Sequence, residues 1–111
     1  MNYNNNPINL NDENETIGDH IILDFTNCNH WHKIHTVLKE AFDFPDYYGE
    51  NWSALWDCLR ELFFFDETPR TVEIYGLNTL TEEYQNYCKT MLEIFDKAQK
   101  EFPHMTIKHI Y

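Results

Sequence analysis

Along the chain the apolar positions switch between short contiguous runs and the three-to-four-residue repeat of a helix. Ile21 to Phe25 is a short apolar, β-branched run and predicts a buried strand. Trp31, Ile34, Leu38 and Phe42 then recur at helical spacing, with Asn29 placed to cap that helix. Pro45 and Gly49 punctuate the connection to a second helix, from Asn51 to Phe64. Its N-cap is Asn51, and its inward stripe is Leu55, Leu59 and Leu62 with Cys58 beside them. Pro69 ends the next turn, and Thr71 to Tyr75 alternates like a strand that Gly76 closes. Leu80 to Gln85 predicts a short helix. Tyr87 to Phe102 predicts a longer one, with Met91, Leu92, Phe95 and Ala98 on one side and Pro103 setting its end. Met105 to Tyr111 is the last strand.

The order strand, helix, helix, strand, helix, helix, strand indicates an α/β domain with a small parallel sheet, whose crossovers are helical and right-handed. The domain is expected to occupy residues 20–111. Residues 1–19 are rich in asparagine, carry Asp12, Glu13, Glu15 and Asp19, and contain no Lys or Arg. With few large apolar groups to offset the cost of ordering, they predict a flexible acidic arm, with local contacts through Tyr3, Ile8 and Leu10.

A chain of 111 residues is enough for one domain with its own core. No apolar run approaches a membrane span, and the N-terminus lacks the regions of a signal peptide, so a cytoplasmic protein is expected. Cys28, Cys58 and Cys88 are odd in number and match no zinc ribbon or redox pair; they read as reduced thiols, mostly small buried hydrophobes. The formal net charge is -11, from nineteen acidic side chains against eight basic ones. Such a chain repels phosphate backbones, which argues against direct nucleic-acid binding and favours a basic protein partner.

Residues 45–57 carry the densest chemistry. Tyr47, Tyr48, Trp52 and Trp56 surround Gly49 together with Asp46, Glu50, Asn51 and Asp57, at the junction of a loop and a helix. Rigid rings give contact area at low entropic cost and a fixed carboxylate gives directional charge, which is how a recognition surface is built. Gly49 is expected to take a positive φ or to let a partner approach closely. Asp57 lies four residues after Ser53, so the two share a helix face while Leu55 and Leu59 turn toward the core. An exposed carboxylate on a rigid helix can occupy a site made for phosphate, accepting hydrogen bonds from Arg, Lys or His. Tyr47 and a half-buried Trp56 are expected at the surface; Tyr48 and Trp52 are shared between core and contact.

This run, Tyr-Tyr-Gly-Glu-Asn followed by Ala-Leu-Trp-Asp, resembles the binding segment of the barstar family of bacterial ribonuclease inhibitors. Ile21 to Phe25, the Lys39-Glu40-Ala41-Phe42 helix end and Met105-Thr106-Ile107 fall in the family's order, so that residues 20–111 are covered. The resemblance implies a three-stranded parallel sheet packed with about four helices. It also implies an intracellular, non-enzymatic protein that binds a basic, extracellular-type ribonuclease or ribonuclease toxin one to one, without cofactor or metal. Asp57 would plug the active site, ringed by Tyr47, Tyr48, Gly49, Asn51, Ser53 and Trp56, with Trp52 where the family has an apolar contact. Two positions depart: Ser53 replaces a second contacting acid and Lys97 a contacting glutamate. Glu61, Glu93 and Asp96 are alternative sources of that charge.

Other readings are weaker. His30, His32 and His35 lie close together, with Cys28 nearby, but no acidic or further cysteine ligand completes a zinc site, and ordinary surface histidines are expected. No phosphate loop, nucleophile elbow or zinc-protease element is present, and a paired-carboxylate hydrolase built on Asp46, Glu50 or Asp57 has no positive support. The main alternative is an immunity or regulatory protein that neutralises a different nuclease or toxin through the same surface.

Overall fold

A computed structural model describes residues 19–110. The expected arm lies almost wholly outside the described residues. Strand β1 (His20–Asp24) leads through helices α1 (Trp31–Phe42) and α2 (Trp52–Phe65) to strand β2 (Arg70–Tyr75); helix α3 (Glu82–Glu101) then leads to strand β3 (Met105–His109). The strands lie in the order β1-β2-β3, all parallel, with Ile21 opposite Val72 and Val72 opposite Ile107. The expected α/β class and three-stranded parallel sheet are therefore present.

Among the described residues only one face of the sheet is covered. Ile21, Leu23, Val72, Ile74 and Met105 point into the core, where α1 packs on β1 and α3 on β3. On the other face Ile22 is 48% exposed and Asp24 is open to solvent. The strand expected to be buried throughout thus alternates, because the chain supplies helices for a single layer. The bare face is made polar instead. Glu73 accepts hydrogen bonds from Tyr75 (2.5 Å) and pairs with His20 (2.8 Å).

Among the described residues three α-helices form, not the expected four. Leu80 to Gln85 is not a separate helix: Leu77–Thr79 makes one 3-10 turn, and α3 begins at Glu82. Thr81 caps α3, its hydroxyl accepting from the Tyr84 amide, and Glu82 and Glu83 place negative charge at the positive end of the helix dipole. No Gly or Pro follows until Pro103, so one helix runs through both predicted segments. At α1 the cap is His30, whose Nδ1 accepts from the His32 amide (3.1 Å); Asn29 sits one residue too early and accepts instead from the Thr81 amide (2.8 Å). Trp31 leaves the expected apolar stripe and stacks outside on His30, while His35 takes a fully buried place among Ile34, Leu38 and Phe42.

The core centres on Phe42, whose ring lies 5.2 Å from Phe44, 6.1 Å from Phe95 and 6.4 Å from Phe63. It thereby joins α1, the following loop, α2 and α3. Gly76, directly after β2, has φ +83°, and a Cβ there would stand 2.5 Å from the Thr26 amide nitrogen. Gly76→Ala is expected to cost about 2 kcal/mol from the left-handed backbone and the clash together. A urea-unfolding midpoint checks this, with Gly49→Ala, whose added Cβ meets nothing closer than 3.4 Å, as a near-neutral control.

Candidate partner-binding site

The loop between α1 and α2 is held from several sides. Asp43 turns the chain with φ 55°, and Phe44 and Tyr48 fold beneath the loop with their rings 5.1 Å apart. Above them the Lys39 ammonium reaches Asp46 (3.3 Å) and His32 Nδ1 reaches Glu50 (2.8 Å), tying the loop back to α1. The left-handed residue before α2 is Glu50, with φ 54°, and not Gly49 as expected. Fixing the Glu50 carboxylate on His32 holds the backbone in that conformation, so the turn does not depend on the glycine. Gly49 remains exposed and without a side chain.

Asn51 caps α2 as expected: its Oδ1 accepts from the Ala54 amide (2.8 Å) and its Nδ2 donates to the Gly49 carbonyl (3.2 Å). With both ends of the amide bonded inside the chain, Asn51 shapes the junction more than it offers a free group. Downstream, Leu55, Cys58, Leu59 and Phe63 are buried, while Ser53, Asp57, Arg60 and Glu61 face outward. Among the described residues no hydrogen bond or ion pair engages Asp57. Tyr47 is 72% exposed, and its hydroxyl donates to Glu61 (3.2 Å). The neighbouring Glu61 charge raises the Tyr47 pKa, with smaller contributions from burial and the hydrogen bond, and keeps the phenol protonated.

The four large rings of the run divide between two layers. Half-buried Trp56 adjoins Asp57 and exposed Tyr47 is bonded to Glu61 one turn further on, and Trp56 is flanked by the Lys97 ammonium, 4.4 Å from its ring centroid, and the Arg60 guanidinium at 5.8 Å. Tyr48 and Trp52 face inward. Tyr48 is only 6% exposed, and Trp52 packs 4.7 Å from His35 and 4.8 Å from Tyr87. His35 sits between two phenols, its Nδ1 2.6 Å from Tyr48 Oη and its Nε2 2.8 Å from Tyr87 Oη. Burial pushes the His35 pKa below its ordinary value, with nearby Glu50 opposing, and burial pushes both tyrosines up. A neutral imidazole donates through one nitrogen and accepts through the other, so it satisfies both phenols at once.

The expectation of ordinary surface histidines fails at His35, and this buried triad is the element that sequence reasoning missed. Its signal lay in spacing: His35 stands three residues before Leu38 and seven before Phe42, on the apolar face. The histidines also do not converge. His32 binds Glu50 and His35 binds the phenols, and among the described residues no group of three or more His, Cys, Asp and Glu gathers as for a metal. Cys58 and Cys88 are buried thiols and Cys28 is partly buried.

The model of the family described as "Barstar (barnase inhibitor)" matches residues 19–109, nearly all of the described fold. The chain belongs to the barstar family. Among curated proteins it is similar to "Putative ribonuclease inhibitor YrdF" of Bacillus subtilis (strain 168), with 35% identity over 81 residues, 73% of this chain and 86% of that protein. As a barstar-family member the chain is an inhibitor and not an enzyme. No helix among the described residues is long and apolar enough to cross a membrane. The two positions expected to depart from the family's pattern are Ser53, exposed one helical turn before Asp57, and Lys97, whose ammonium stands over the Trp56 ring.

Proposed function

We propose that the chain is an intracellular inhibitor of a basic, barnase-like ribonuclease of the secreted type, bound one to one. Asp57 enters the enzyme's phosphate-binding site, while Tyr47, Gly49, Ser53 and Trp56 close around it and Tyr48, Asn51 and Trp52 support them from beneath. The observation that carries this reading is the exposed carboxylate of Asp57, unengaged among the described residues, on the well-packed α2 beside half-buried Trp56 and one turn before the Glu61 that holds exposed Tyr47. Such a group is pre-organised, so little ordering cost accompanies its transfer into a cationic pocket. The net charge of -11 adds long-range attraction to a basic enzyme, an effect for which barnase and barstar are themselves the standing example.

Titrating barnase with the purified chain tests the proposal. Activity on RNA should fall to zero at an equimolar end point, with an association rate that drops steeply as salt is raised. Full activity in the presence of a large molar excess of the chain would count against it. Ser53 and Lys97 favour a second reading, an immunity protein whose target is a different nuclease or toxin, because both make the face less acidic than the family pattern. Affinity capture with the native chain and Asp57→Arg as parallel baits separates the two. A target that reads Asp57 is lost by the variant; one gripped elsewhere is retained by both.

Lys97→Glu restores the family's charge beside Trp56. It is expected to tighten the complex with barnase roughly tenfold, about 1.4 kcal/mol, and more at low salt. Equilibrium titration at two ionic strengths checks this. A weaker complex would mean that the enzyme surface opposite Lys97 is not basic.

A further inference from the structure

Beyond Asp57, α2 ends in two bare rings. Phe64 is 68% exposed and Phe65 79%, and they meet edge to face with centroids 4.9 Å apart. A lone exposed hydrophobic residue needs no explanation, but two adjacent phenylalanines left open form a patch of the kind that marks an interaction surface. Beside them lies an open hollow of about 330 Å³, lined by Arg60, Glu61, Phe64, Phe65, Glu101 and Phe102. A second hollow continues from it and shares Phe64, Glu101 and Phe102. The first is at the small end for a ligand pocket and is open along one side, which suits a protruding protein side chain better than a small molecule.

We propose that this hollow seats an apolar side chain, flanked by basic residues, of the same ribonuclease that Asp57 engages, and that Phe64 and Phe65 help to set which enzyme is bound. The inference rests on the inhibitor reading of the Asp57 face. Two observations commit the hollow to that occupant. One is continuity. Glu61 lies one turn beyond Asp57 and takes part both in the Tyr47 hydrogen bond and in the wall of the hollow. Phe64 and Phe65 follow within about 10–12 Å of helix rise, well inside the span of a standard interface of about 800 Å² per partner. The other is charge. Glu61, Glu101 and nearby Glu67 outnumber Arg60 around the apolar floor. A second copy of this chain, itself at -11, would meet repulsion there, whereas a basic enzyme would not.

The full chain and its Phe64→Ser, Phe64→Glu and Asp57→Ala variants should be titrated against barnase by inhibition, with melting temperature and sedimentation velocity measured on each. Phe64→Ser is expected to weaken binding roughly 10- to 100-fold, chiefly through faster dissociation, with little change in melting temperature. Phe64→Glu should associate no more slowly than the parent, since it adds attraction to a basic enzyme, yet should still dissociate faster. Unchanged affinity in both Phe64 variants, alongside loss in Asp57→Ala, would overturn the groove contact while leaving the Asp57 reading intact. A parent that sediments as a dimer and becomes monomeric on Phe64→Glu would assign the patch to self-association and overturn the proposal. Absence of inhibition by the parent itself would remove both readings together.

Discussion

Asp57→Ala is expected to weaken ribonuclease inhibition by about 2–5 kcal/mol, roughly two to four orders of magnitude in affinity, the range that desolvated charge pairs show at protein interfaces, the barnase–barstar complex among them. Fold stability should stay within about 0.5 kcal/mol of the parent, because the side chain is exposed and engages nothing else among the described residues. This separation of effects is what makes the test informative. The loss at the interface includes the cost of leaving the enzyme's cationic groups buried without a partner. Asp57→Asn keeps the shape and removes the charge, and should fall close to the alanine variant. Inhibition constants and unfolding midpoints for parent, Asn and Ala decide the matter: an Ala variant that inhibits as well as the parent would show that no phosphate mimicry takes place at this residue.

His35→Ala is expected to cost about 3–5 kcal/mol of folding stability, since it opens a cavity and strands the hydroxyls of Tyr48 and Tyr87. Tyr87→Phe removes one bond at the partly exposed end and should cost about 1 kcal/mol. The triad also makes stability depend on pH. Burial holds the folded-state His35 pKa below the ordinary 6.5, with Glu50 pulling it up and His32 pushing it down. The unfolded chain therefore takes up the proton first as pH falls. The His35 contribution is whole above about pH 6.5 and declines below it until the folded-state pKa is passed. Urea midpoints at pH 7.5 and 5.5 check the sign: the parent should lose stability between them, and His35→Ala should lose less. Because Tyr48 lies under the loop that carries Tyr47, acid weakening should extend to inhibition as well.

The sheet, the second helix with its Asn51 cap and the outward direction of Asp57 were legible because each rests on a local rule of period, capping chemistry or i to i+4 spacing. What was not legible depended on packing between distant elements. The inward turn of Tyr48 and Trp52 is decided by His35 on α1 and Tyr87 on α3, which become neighbours only after folding. The positive φ at Glu50 in place of Gly49 follows from a bond to His32, eighteen residues away. The periodicity predicts an amphipathic helix that ends at Phe64, and α2 runs one residue further, to Phe65. Both rings lie on the outward face, Phe64 seven residues after Asp57 and Phe65 four after Glu61, while Phe63 beside them is buried against Phe102 and His104.

Among the described residues the three-stranded sheet, in the order β1-β2-β3, has two open edges, and each is a template to which another chain could add a strand. Here both edge strands are only five residues long; one carries His20 and Asp24, the other Lys108 and His109. Short strands dotted with ionisable groups are poor seeds for cross-β growth, so a concentrated stock of this inhibitor is protected at its most vulnerable backbone. The residual hazard moves to the aromatic pair at the end of α2, where burial against an enzyme would also serve to keep the molecule in solution.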